Sequence, residues 1–178
     1  MTISGVVLAG GKSTRMGRNK AILEIGGKRL IDRLVEGLQG IFPEVIIVAN
    51  TLDLYDYLGV RVVPDLIRDK GALGGIYTVA AIASNPWVFV MACDMPFFNP
   101  GLIRYLATLT DDWDAVVPYT DEWEPLYALY AKTCLPQMER RSIQTTSGSP
   151  GSFPTSACDE WVWRSSCPTI PKGLASST

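Results

Sequence analysis

Short, almost wholly apolar runs alternate along this chain with longer segments whose apolar residues recur every three or four positions. Residues 3–9 form the first run. Residues 30–38 carry Leu30, Ile31, Leu34, Val35 and Leu38, the spacing of one helix face. Residues 45–49 (VIIVA) and 60–63 predict the next strands, and a glycine-opened helix is expected over 73–83. Residues 87–92 (WVFVMA) have no polar position, as expected of a strand buried on both faces. Pro100 stands where a first helical residue is favoured, which predicts a helix over 100–109. Residues 115–118 and 126–131 complete the strand candidates. Strands alternating with helices in this order predict an α/β domain on a mostly parallel, twisted sheet with helices on both faces.

In such sheets ligands bind at the carboxyl ends of the strands, and polar residues and glycines collect there in this sequence. The first strand runs into LAGGKSTRMGRNK, residues 8–20. Three glycines with Lys12, Arg15, Arg18 and Lys20 suit a loop whose amides and cations approach phosphate; the same residues also make a plain surface turn. Neither a GxxxxGK[ST] nor a GxGxxG pattern occurs. Asp94, just past WVFVMA, is placed either to hold Mg²⁺ on a nucleotide phosphate or to close a turn. Asp65 after the 60–63 run, Asn50 after VIIVA and the glycines of RDKGALGG (68–75) each admit the same pair of readings.

Charge and composition narrow the classes of chemistry. With 16 basic and 18 acidic residues the net charge is −2, which gives no electrostatic reason to expect nucleic acid as a partner. No run of 18 apolar residues is present, so no membrane partner is expected either. Residues 3–9 are too short for the core of a secretory signal, and the expected location is cytoplasmic. There is no histidine, so Ser-His and Cys-His catalysis are excluded. Cys93, Cys134, Cys158 and Cys167 lack metal-type spacing and read as free thiols.

Taken in order, LAGGKSTRMGRNK, LEIGGKRL, VAN, VPD, GALGG and CDMP resemble the molybdenum cofactor guanylyltransferases, the MobA-like nucleotidyltransferases, over roughly residues 3–141. The resemblance implies a Rossmann-like, three-layer nucleotidyltransferase fold. It implies transfer of GMP from GTP to the phosphate of molybdopterin with Mg²⁺, releasing pyrophosphate. Leu8, Ala9 and Gly10 then match the backbone that holds the guanine nucleotide, and Lys20 matches the catalytic lysine at the α-phosphate. Asn50 and Asp65 match nucleotide-recognising positions, Asp94 the metal ligand, and Arg15 a basic position facing phosphate or pterin. Other cofactor-biosynthesis proteins are further partners that the resemblance implies. LAGG rather than LAAG favours guanine, because Gly10 leaves room for the larger base. Two alternatives stand beside this reading: a sister enzyme using CTP or a sugar phosphate, and a GTP-binding module with impaired turnover.

The second alternative arises from the C-terminal segment. Serine occurs 9 times in residues 142–178 and 3 times in the 141 residues before them. Ser, Thr and Pro make up 18 of those 37 residues, a composition expected of a poorly packed tail. Codons that encode IPKGLASST can, in a neighbouring frame, encode DPEGLSFFNV, which is similar to the ending of the family. The expected division is therefore a nucleotidyltransferase domain over 1–141 and an out-of-frame replacement over 142–178, with the family's pterin-side asparagines lost.

Overall fold

A computed structural model describes residues 2–9, 21, 23–67, 70–95, 98–119 and 121–144 of the chain. Strand β1 (Ile3–Leu8) is followed by a hairpin of β2 (Glu24–Ile25) and β3 (Lys28–Arg29), then helix α1 (Leu30–Gln39). Next come β4 (Glu44–Val48), two turns of 3₁₀ helix over residues 52–58, β5 (Arg61–Val63), α2 (Gly71–Ile82) and β6 (Trp87–Ala92). The chain continues through α3 (Pro100–Ala107), β7 (Ala115–Val116), β8 (Tyr127–Ala131) and α4 (Leu135–Gln144).

Six strands form one sheet in the order β5-β4-β1-β6-β8-β7. β1 pairs in parallel with β4 and β6, and β4 with β5, whereas β8 is antiparallel to both of its neighbours. β8 alone runs against the rest. α1 and α3 pack with Val7, Ile47, Phe89 and Leu129 on one face; α2 and α4 pack with Val6, Ile46, Val88 and Ala128 on the other. All six residues of β6 are buried, as a strand covered on both faces requires. The three layers expected from the sequence are present. No helix among the described residues is long and apolar enough to cross a membrane.

Each element forms for a local reason. α1 buries Leu30, Ile31, Leu34, Val35 and Leu38, the stripe its spacing predicts. α3 starts where the Asn99 side chain accepts from the Leu102 N–H at 3.0 Å, with Pro100 inside its first turn. The β2–β3 turn uses Gly26 and Gly27 at φ 61° and 75°, a left-handed pair that matches the twist of a two-residue hairpin.

At the amino ends of the strands a polar cluster ties β1, β4 and the α2–β6 connection together. Glu44 accepts from Ser4 Oγ at 2.5 Å and from the Ser84 N–H and Oγ, both at 2.9 Å; Asn85 Nδ2 donates to Ser4 Oγ at 3.0 Å. Partial burial opposes the Glu44 charge, but the bonds from Ser4 and Ser84, with Arg61 nearby, outweigh it and lower the carboxyl's pKa.

Some boundaries differ from the sequence reading. The strands expected over 115–118 and 126–131 shorten to Ala115–Val116 and Tyr127–Ala131, and the helix over 100–109 stops at Ala107 before a 3₁₀ turn over Thr110–Asp112. α4 was not expected: Met138 is its one described residue that is fully buried, too sparse a stripe for a periodicity to stand out. It also runs on to Gln144, so its backbone passes without a break through the compositional boundary at 141–142. Residues 145–178, the rest of the proposed tail, lie outside the described residues.

Candidate functional site

The strand order reverses between the parallel neighbours β1 and β6, since β1 connects to β4 on one side and β5 crosses over to β6 on the other. Ligands in this architecture sit at the carboxyl ends of the strands around such a switch point. The chain continues from β1 in Ala9, from β4 in Ala49 and Asn50, from β5 in Pro64 and Asp65, and from β6 in Cys93 and Asp94. These are the loops in which the sequence places its candidates.

Backbone bonds draw the strand ends together. The Ala9 N–H donates to the Val48 carbonyl at 2.9 Å, the Ala49 N–H to Val63 at 2.9 Å, and the Cys93 N–H to Leu8 at 3.0 Å. The Ala9 N–H and the Leu8 carbonyl are thus both engaged in holding the strand ends together.

Asn50 and Asp65, 15 residues apart, meet there: Asn50 Nδ2 donates to Asp65 Oδ2 at 3.3 Å. Partial burial raises the Asp65 carboxyl's pKa, and the Asn50 bond opposes that rise. The Asp65 loop is pinned to α2 through Thr78 Oγ1, which accepts from the Leu66 N–H at 2.9 Å and donates to the Gly74 carbonyl at 2.7 Å. Gly74 and Gly75 make this approach possible. A Cβ on Gly74 would stand 2.6 Å from the Ile67 carbonyl oxygen, and one on Gly75 would stand 3.0 Å from Leu8 Cδ2 and 3.5 Å from Asp65 Oδ1. The glycines of GALGG therefore act by close packing of helix on loop, and they bring Leu8, Asn50 and Asp65 into one corner.

Asp94 is exposed in the turn after β6, beyond Cys93. Its position beside the end of β1 sets a carboxylate across the switch point from the Asn50–Asp65 pair. Gly10, Arg15 and Lys20 lie outside the described residues. Among the described residues no group of three or more His, Cys, Asp or Glu is arranged to hold a metal ion. Cys93 and Cys134 are thiols outside any disulfide, in line with the sequence reading. Burial, with the Asp114 charge nearby, pushes the Cys134 thiol up to about 12, which leaves it no nucleophilic role at neutral pH.

A family model described as the MobA-like NTP transferase domain matches residues 5–150. The chain belongs to this family. It is a nucleotidyltransferase by that membership. Among curated relatives, the probable molybdenum cofactor guanylyltransferase of Pelotomaculum thermopropionicum is 42% identical over 137 residues, covering 76% of this chain and 67% of the relative. Of solved structures, a protein from Aquifex aeolicus VF5 superposes with a TM-score of 0.75 at 28% identity, over 97% of this chain and 89% of the other. Molybdopterin-guanine dinucleotide biosynthesis protein A from Archaeoglobus fulgidus gives 0.65 at 27% identity, over 79% and 73%.

One feature of this pole was not singled out from the sequence. The loop between β7 and β8 returns to the same end of the sheet, because β8 is antiparallel and the Ala92 N–H donates to the Leu126 carbonyl at 3.0 Å. That loop carries Tyr119, which is exposed, against Trp123. Two aromatic residues four apart between short strands were the available signal.

Proposed function

We propose that this chain transfers GMP from GTP to the terminal phosphate of molybdopterin, releasing pyrophosphate and forming a guanine dinucleotide cofactor. The observation that carries this reading is the Asn50–Asp65 pair, set against Leu8 and Gly75 at the carboxyl ends of β1, β4 and β5. A carboxamide and a carboxylate held side by side present both donors and acceptors, which suits the polar edge of a base or the hydroxyls of a ribose. Asp94, beyond β6, faces the phosphate end of a nucleotide laid across the switch point. By their match to the family's motif we assign Lys20 and Arg15 as cations toward the phosphates and Gly10 to nucleotide binding.

Displacement at phosphorus asks the protein for positioning and charge stabilisation more than for covalent chemistry. A phosphate oxygen of the pterin attacks the α-phosphorus of GTP, the bond to the bridging oxygen breaks, and pyrophosphate leaves with that electron pair. Lys20 offsets the charge that builds at the α-phosphate. Divalent metal chemistry belongs to this family's reaction, and Mg²⁺ is the ion we assign, with Asp94 as its protein ligand. Among the described residues Asp94 belongs to no closed cage of ligands, an arrangement that fits Mg²⁺, which keeps waters and takes its other ligands from substrate phosphates. When bound, the ion neutralises phosphate charge.

Residues 142–178 we read as an out-of-frame replacement of the family's last segment. A second reading, a GTP-binding domain with impaired turnover, rests on their Ser-, Thr- and Pro-rich composition.

The test is thermal denaturation with nucleotide. GTP with Mg²⁺ at about a hundredfold excess over its Kd adds roughly 2.7 kcal/mol to the folded state, a rise of about 5–10 °C. CTP at the same concentration gives less. An equal or larger rise with CTP overturns the guanine assignment. Labelled GTP incubated with molybdopterin then separates the transferase, which forms the dinucleotide, from the binding module, which does not.

A further inference from the structure

The carboxyl pole of the sheet has two halves. Leu8, Asn50 and Asp65 occupy the half over β1, β4 and β5, and Asp94 stands past β6 at its border. The other half lies over β8 and β7, where the loop of residues 117–126 opens. An in-line displacement sets the attacking oxygen opposite the leaving pyrophosphate, and with the nucleoside over the first half the acceptor has room over this second half.

The loop is built to hold one ring in place. Tyr119 and Trp123 form a β-bridge, and the Glu124 N–H closes the turn on the Pro118 carbonyl at 2.9 Å. The two rings lie 5.0 Å apart at 64°, edge to face, and Trp123 packs on the core cluster beneath α2 and α4. Tyr119 stays 42% exposed. The other described ring pairs, Phe42–Phe89 and Phe89–Tyr127, are inside the core. An exposed ring kept rigid by a half-buried one retains a face for another flat ring while losing little freedom on binding. Asp121 and Glu122, both exposed at the tip, disfavour a phosphate at this point and favour a group rich in N–H donors.

We propose that Tyr119, braced by Trp123, is the stacking platform for the acceptor's planar heterocycle, the end of the molecule away from its reacting phosphate. The ligand class is a fused, amino-substituted N-heterocycle of the pterin type. This inference rests on the transferase reading above, and two measurements keep their failures apart. Binding of a pterin monophosphate alone is followed by calorimetry for the full chain, Tyr119→Ala and Tyr119→Phe. Loss of stacking weakens binding about tenfold or more in Tyr119→Ala, while Tyr119→Phe, which keeps the ring, stays close to the parent. GTP affinity is unchanged in all three. Pterin binding that Tyr119→Ala leaves intact, or absent pterin binding in a parent that binds GTP, overturns the platform. Equal loss in Tyr119→Phe overturns it as well, because the hydroxyl and not the ring is then responsible. Steady-state transfer is the second measurement: a Tyr119-dependent pterin affinity without dinucleotide product retains the platform and removes the transferase reading. Product formation with an unchanged acceptor KM in Tyr119→Ala does the reverse.

Discussion

Glu44 carries three hydrogen bonds from Ser4 and Ser84 and holds two strands and a connection at the amino pole, opposite the site. Its native pKa lies below that of the unfolded chain, so the unfolded state takes up a proton first on acidification. The stability it adds is fully present above the unfolded carboxyl's range and is lost as pH falls through the lowered native value. Glu44→Gln should cost about 1 kcal/mol or somewhat more at pH 7, since its partners lose a charged acceptor. Melting temperatures taken at pH 7 and pH 3 check this: the gap between parent and variant narrows at low pH, and a gap independent of pH refutes the charge's role. At the same scale, Asn50 and Asp65 were each recognisable as residues following a strand, but their contact was not. It depends on β4 and β5 ending side by side, and no spacing in a single chain states which strands are neighbours.

Among the elements, α2 carries the most consequence for the site. Alanine ordinarily favours a helix over glycine by about 1 kcal/mol, and Gly74→Ala should nevertheless destabilise this protein. The new Cβ would press on the Ile67 carbonyl at 2.6 Å, which is backbone and must move, and the loop carrying Asp65 moves with it. A net loss of about 1–3 kcal/mol is expected, together with weaker GTP binding. Chemical denaturation and nucleotide titration measure the two effects, and an unchanged or raised stability would show that the loop yields freely. Strands were the most legible elements: WVFVMA is a strand from Trp87 to Ala92, as read. The β2–β3 hairpin was missed although LEIGGKRL contains Gly-Gly between Glu24-Ile25 and Lys28-Arg29, because two-residue strands give no alternation to count. α4 was missed for the opposite reason, its polar surface leaving few apolar positions to mark a face.

At the scale of the whole molecule, the layered α/β architecture was legible from the order of the runs alone, since a strand–helix alternation leaves few ways to bury both faces of a sheet. The reversed direction of β8 was not, because an apolar strand reads the same whichever way it points. The segment 142–178 sets the remaining whole-molecule prediction. A one-base change that restores the neighbouring frame beyond Arg141 should raise both the melting temperature and the yield of dinucleotide product. If the restored chain is no more stable and no more active than the present one, the present ending is native and the frame reading falls. The direction of β8 has its own consequence for how such an enzyme can diversify. With that strand turned back, both ends of its incoming loop open on one rim, and no crossover helix depends on the loop's length or composition. Lineages can therefore rewrite the rim over β7 and β8 while leaving the Asn50–Asp65 corner as it was.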